Sequence, residues 1–152
     1  MNVTAYDIAK NFLGIKEIEG PANNPMVVAM HQVGAGATWI SNDEEAWCSS
    51  FVGFICFCLG LKRTMSARAR SWLFVGEPVE LRNAVVGFDV VIVSRGEGEQ
   101  PGPEYLNAPG HVGFYAGHDG DFVSLLAGNQ GNKVSVANFP IKRILGIRRL
   151  NP

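Results

Sequence analysis

Cys48 opens an apolar run, Trp47-Cys48-Ser49-Ser50-Phe51-Val52, that reads as the start of a helix. A thiol at a helix amino terminus meets the positive end of the macrodipole, and the free backbone amides there favour thiolate over thiol. The same amides are placed to hold a developing oxyanion. A thiolate nucleophile needs an imidazole to pair with and later to donate a proton. His111, at the start of the strand-like Gly110-His111-Val112-Gly113-Phe114-Tyr115, is the candidate. Alternation puts His111, Gly113 and Tyr115 on one strand face, and the small Gly113 is expected to leave room for the helix end. A third polar group usually orients such an imidazole. Leu126-Ala127-Gly128-Asn129-Gln130-Gly131 offers two: Asn129 is preferred for its short side chain, and Gln130 stays open. Against this stand plainer readings, a small buried hydrophobe for Cys48 and a structural histidine for His111.

The elements that must position these residues are legible as patterns. Thr4 and Asp7 fit a capping box, and Ile8, Phe12, Leu13 and Ile15 recur at helical spacing. Gly20-Pro21 ends that segment, and Pro25 suits the first turn of a short helix over residues 26–32. Ser41, Asn42 and Asp43 to Glu45 offer caps and acids for a central helix over residues 46–61, with Gly60 near its end. The texture then turns β-branched. Strands are expected over residues 88–93, 110–117, 122–126, 134–136 and 144–149. Residues 95–109 form a long loop of the kind that carries function or motion. Helices first and strands afterwards indicate an α+β domain, with amino-terminal helices packed on a small antiparallel β-sheet.

Composition bounds the partners. The chain has 152 residues, 13 basic and 14 acidic side chains and a net charge of −1; 47% of residues are hydrophobic and 18% charged. This fits one globular domain over residues 1–152. It gives no electrostatic case for nucleic acid. No apolar run approaches the roughly 20 residues of a membrane span, and the first residues lack the pattern of a signal peptide. Three cysteines do not make a disulfide scaffold. Cys56 and Cys58 would point about 200° apart on a helix and cannot share a metal ion. No cofactor or metal is expected: Asp43, Glu44 and Glu45 lack the alternating oxygen ligands of a calcium loop and are read as helix caps. His31 and His118 are read as structural or surface residues. Arg70 and Trp72, with Trp47, line a possible substrate groove, although Trp72 also suits the core and Arg70 the surface. Lys142, Arg143, Arg148 and Arg149 would suit an anionic wall but read better as a solvated strand edge.

Four motifs occur in order: Asp43-Glu44-Glu45-Ala46-Trp47-Cys48-Ser49-Ser50-Phe51-Val52, Ala69-Arg70-Ser71-Trp72-Leu73, Gly110-His111-Val112-Gly113-Phe114-Tyr115 and Gly128-Asn129-Gln130. Together they resemble the small phage and prophage branch of the CHAP (cysteine, histidine-dependent amidohydrolase/peptidase) families, which are papain-like. Gly14-Ile15-Lys16-Glu17, Gly20-Pro21 and Leu145-Gly146-Ile147-Arg148-Arg149 extend the resemblance over nearly the whole chain. It implies an endolysin-like peptidoglycan hydrolase that cuts an amide bond of the wall peptide. Cys48 would be the nucleophile, His111 the base and then the acid, and the Asn129–Gln130 region the orienter. The third residue varies among relatives between glutamate, asparagine and glutamine. The implied partner is the peptidoglycan stem peptide, met by a monomer in the periplasm or cell wall after synthesis in the host cytoplasm, with a holin or another route providing export. An injected antibacterial effector, a transferase using the same acyl-enzyme, and a non-catalytic wall-binding or structural phage protein are the rival expectations.

Overall fold

Thr4 starts the first helix as its sequence predicts: its side chain accepts from the Asp7 N–H while Asp7 reaches back to the Thr4 N–H. The computed structural model describes residues 2–152. Helix α1 (Ala5–Lys10) is shorter than the apolar spacing suggests. Turns follow, and Ile15 lies outside any helix: its carbonyl accepts from Val134 N–H at 2.8 Å and Gly14 N–H donates to the Val134 carbonyl at 3.0 Å. Tertiary pairing overrides helical periodicity there. Asn24 caps α2 (Pro25–Ala29), which continues as a wider turn over Met30–Gly34.

The central helix α3 spans Cys48–Leu59 and ends at Gly60 in the left-handed conformation, as expected of that glycine. It begins two residues later than expected, and Asp43, Glu44 and Glu45 do not cap it. Asp43 instead accepts the N–H groups of Ile18 and Asn24 at 2.8 and 2.7 Å, stapling the preceding loop. Trp47, at the cap position of α3, gives no side-chain hydrogen bond to the helix end. Gly53 lets α3 lie backbone to backbone on the Met30–Gly34 turn: a Cβ there would sit 2.3 Å from the Gly34 carbonyl oxygen.

Six strands form one antiparallel sheet in the order β1-β6-β2-β3-β4-β5: β1 Glu77–Pro78, β2 Asp89–Ser94, β3 Gly110–Asp119, β4 Phe122–Ala127, β5 Ser135–Pro140 and β6 Ile144–Arg149. The two-residue β1 has no sequence signature; it pairs with β6 at the edge. Period-two alternation sends Val90, Ile92, Val112, Phe114 and Leu126 into the core under the helices, where Phe51 and Phe114 meet edge to face. Val91, Val93, Tyr115, Val123, Leu125 and Ile147 build a second apolar layer. Arg148 and Arg149 are not a solvated edge. Arg148 donates to the Val75 and Gly76 carbonyls, and Arg149 grips the buried Asp89 carboxylate through two nitrogens at 2.7 and 2.8 Å. These contacts fix β6 and thereby the sheet that carries the site.

Candidate active site

Cys48 is the first residue of α3, so its N–H and those of the next residues lack intrahelical acceptors and face the sheet end. Four side-chain hydrogen bonds hold this first turn. Trp47 Nε1 donates to Glu17 at 2.8 Å, and Trp72 Nε1 donates to the Ser49 hydroxyl at 2.8 Å while that hydroxyl donates to the Ser66 carbonyl at 2.7 Å. Ser50 Oγ meets the buried His31 Nδ1 at 2.7 Å. Each is buried or partly buried, so the turn has little room to move. Trp47 and Trp72 are therefore core anchors of the thiol's helix rather than walls of a groove.

His111 lies near the start of β3, opposite Val93 of β2. Its ring couples electrostatically to the Cys48 thiol, and its Nε2 meets Gln130 Oε1 at 3.0 Å. The Gln130 amide nitrogen donates to the Ser135 carbonyl at 2.7 Å, which fixes the oxygen toward the imidazole. Nε2 must then carry the hydrogen in that contact, leaving Nδ1 for the sulfur. Phe139 of β5 packs on the ring with centroids 5.3 Å apart and planes tilted by 30°. Thiol, imidazole and amide are nearly closed off, at 3, 6 and 8% exposure.

The sequence prefers Asn129 as the orienting residue, but the structure places Gln130 there. Residues 129–132 make a tight turn in which Asn129, Gly131 and Asn132 all have positive φ, and Gln130 bonds back to Lys133. That turn delivers the longer side chain to the ring, while Asn129 lines the adjoining cleft. The expected role of Gly113 also moves. A Cβ at Gly113 would strike Ala127 of β4, at 2.7 Å, and not the helix. It is Gly128 that admits the helix end, since a Cβ there would lie 2.6 Å from the Trp47 ring. Arg70, read as a groove residue, is fully buried and donates to the carbonyls of Pro101, Gly102, Tyr105 and Pro109. It pins the long loop rather than meeting substrate.

The electrostatics favour an ion pair. Burial alone would push the Cys48 thiol up, but the His111 hydrogen bond and charge, with the N–H groups of Val112 and Ser49, outweigh it and bring the thiol below its ordinary range. Burial would likewise depress His111; the thiolate and Gln130 more than reverse this and raise it, against a smaller opposing effect of Arg95. The other two cysteines lack such support: burial drives Cys56 up to about 12, and Cys58 is raised as well. The arrangement can therefore present a thiolate beside a proton donor, with open amides for an oxyanion.

Beside His111 opens a cleft of about 440 Å³ bordered by Arg95, Asn129, Asn138, Phe139 and Arg143. Phe139 and Arg95 border this cleft without having been singled out by the sequence, whereas Arg143 is one of the basic residues read there as a strand edge. Arg143 immediately precedes a predicted strand and Arg95 lies two residues beyond another, and those positions at strand ends are the signal that would have marked them. Among the described residues, no group of three or more His, Cys, Asp or Glu is arranged to hold a metal, and no helix is long and apolar enough to cross a membrane.

No family model matches the chain, and no curated protein matches it. Among solved structures, "Structure of NlpC1 from Trichomonas vaginalis" is similar, with a TM-score of 0.56 and 18% identity over 97% of this chain and 44% of that one. The chain thus spans less than half of that structure's length. The shared architecture is a papain-like α+β fold; in this chain a helix that starts at Cys48 packs on the antiparallel sheet.

Proposed function

We propose that the protein is a cysteine hydrolase of peptidoglycan, cutting an amide bond of the wall peptide. The observation that carries this reading is the grouping of Cys48, His111 and Gln130: a thiol at a helix start, coupled to an imidazole that is itself held at 3.0 Å by a fixed amide. A papain-like fold with this grouping is built for acyl transfer. The resemblance of the Trp47-Cys48 and Gly110-His111-Val112-Gly113 motifs to CHAP enzymes directs it to the cell wall.

In the first half-reaction the Cys48 thiolate attacks the amide carbonyl carbon. The oxygen takes up the negative charge against the amides at the start of α3. The C–N bond breaks as the His111 imidazolium gives its proton to the leaving nitrogen, so a thioester and a free amine result. In the second half His111 removes a proton from water, and the hydroxide oxygen attacks the thioester. The C–S bond breaks, releasing a carboxylic acid and restoring the thiolate. Gln130 keeps the ring aligned through both proton transfers. Arg70 and the paired anchors of the helix hold the walls of the site without touching the reaction.

On this reading the protein serves as a phage or prophage lysis enzyme, acting as a monomer on the stem peptide and reaching the wall with the help of a holin. The test is incubation of purified sacculi with the wild type and with Cys48→Ala, followed by mass spectrometry of the soluble fragments. Fragments released only by the wild type are expected, and their masses name the bond. Release by Cys48→Ala at the wild-type rate would refute the cysteine mechanism.

A further inference from the structure

The cleft beside His111 has a one-sided chemistry. Arg95 and Arg143 border it, and no aspartate or glutamate does. Among the described residues neither arginine forms an ion pair with a carboxylate. Glu99 borders the adjoining groove beyond Arg143, and Glu97 follows Gly96 in the same loop; among the described residues neither makes an ion pair with either arginine. The topology puts both guanidinium groups at the sheet end that holds the imidazole. Arg95 follows β2, where Ser94 pairs with Gly110 and Val93 with both His111 and Ile144; Arg143 directly precedes Ile144. Arg143 is held by a 3.0 Å bond from Nη2 to the Gly96 carbonyl and borders the cleft with its other donors uncommitted to any carboxylate. Arg95 is exposed and close enough to His111 to oppose its protonation. Ser94, Asn129 and Asn138 add neutral hydrogen-bonding groups.

Two cations without counterions, set among neutral amides, form a receptor for a carboxylate. Which half of the substrate it receives follows from the neighbours. The cleft touches His111 but not Cys48. The acyl half becomes bonded to sulfur, and the amine half leaves on the imidazole side with the proton that His111 supplies. We infer that Arg95 and Arg143 form a carboxylate-binding subsite for the leaving half of the substrate, so that the protein prefers peptides whose amine-donating residue carries a free carboxylate near the scissile amide. This deepens the proposed hydrolase reading and rests on it for the word substrate; the subsite itself does not.

Two measurements on the full chain separate the two claims. The first compares untreated sacculi with sacculi whose carboxylates have been amidated with carbodiimide and ammonia. Wild type should release fragments from untreated material at least about tenfold faster, the loss expected when a charge-assisted contact is removed. The double variant Arg95→Gln/Arg143→Gln should digest both at one low rate, and Arg95→Lys/Arg143→Lys should recover part of the preference. The second uses alkylation, with peptide mass spectrometry reading Cys48 and the exposed Cys58 of the same molecule. The rate ratio of iodoacetate, which carries a carboxylate, to neutral iodoacetamide should be higher at Cys48 than at Cys58. It should fall severalfold at Cys48 in the glutamine variant, remain partly in the lysine variant, and stay constant at Cys58. Equal digestion of native and amidated sacculi by wild type overturns the subsite, and so does an iodoacetate ratio indifferent to both arginines. If no sacculus is digested, the hydrolase reading fails, and the alkylation ratio alone decides the subsite.

Discussion

Replacing Gln130 with alanine removes the acceptor that holds His111 Nε2 at 3.0 Å. The contact becomes charge-assisted whenever the ring is protonated, and such a bond contributes about 1.5–3 kcal/mol. At about 1.4 kcal/mol per tenfold, kcat/KM should fall roughly 10- to 100-fold. The same bond helps to raise His111, so the alkaline limb of the pH profile should move to lower pH. Truncation also strips partners from the Ser135 and Leu125 carbonyls, at about 1–3 kcal/mol of stability for each buried group left unpaired. Rates are therefore normalised to the Cys48 thiol titrated in the folded fraction, below the midpoint of thermal unfolding. Asn129→Gly is the contrasting variant, because glycine tolerates the positive φ of 58° at that position. It should leave the alkaline limb in place and cost little in kcat. The reasoning is refuted if Gln130→Ala stays within about twofold of wild type while Asn129→Gly loses tenfold or more.

The site should give a bell-shaped kcat/KM. Activity rises with pH as Cys48 ionises below the ordinary thiol range, and falls as His111 loses its proton above 6.5, its ordinary value; both limbs belong to the coupled pair. Arg70→Met leaves up to four loop carbonyls without their donor, so unfolding should come at least about 3 kcal/mol earlier, with limited proteolysis cutting within residues 95–109. Gly128→Ala forces a methyl against the Trp47 ring, and should cost about 1–3 kcal/mol in denaturant melts and slow Cys48 alkylation by displacing its helix end. Burial lowers His31 below 6.5, against the opposing pull of Glu45. The unfolded chain therefore binds the extra proton first, and stability drops as pH falls below that value. Urea midpoints measured between pH 7 and 5 should slope less steeply in His31→Gln.

Residue types and spacing reveal much of this site because its chemistry is local. A cysteine at a helix start, a histidine at a strand start and a turn rich in amide side chains are visible along the chain. The Thr4–Asp7 cap and the left-handed Gly60 are local too, and both take the form their sequence predicts. What the sequence conceals is set by distant contacts. Ile15 leaves the helical pattern because the Val134 backbone offers it a hydrogen-bond partner. Asp43 leaves the central helix uncapped because the loop of Ile18 and Asn24 presents N–H groups to it. Arg70 looks like a substrate contact only until the carbonyls of a loop more than thirty residues away close around it. Gln130 rather than Asn129 reaches the imidazole because three positive-φ residues tighten the turn, and no propensity separates two adjacent amides. Phe139 comes from a strand seen only in part in the sequence, where residues 134–136 were expected and Ser135–Pro140 forms.

The central claim is that His111 holds Cys48 as a reactive thiolate. It is tested most directly by the pH dependence of iodoacetamide alkylation at Cys48, read by peptide mass spectrometry in wild type and His111→Ala. The account predicts that Cys48 in the wild type stays reactive well below the ordinary thiol range, that His111→Ala loses this low-pH reactivity, and that Cys56 stays inert throughout because burial holds its thiol up at about 12. A Cys48 that titrates like a free thiol, equally with and without His111, would contradict it.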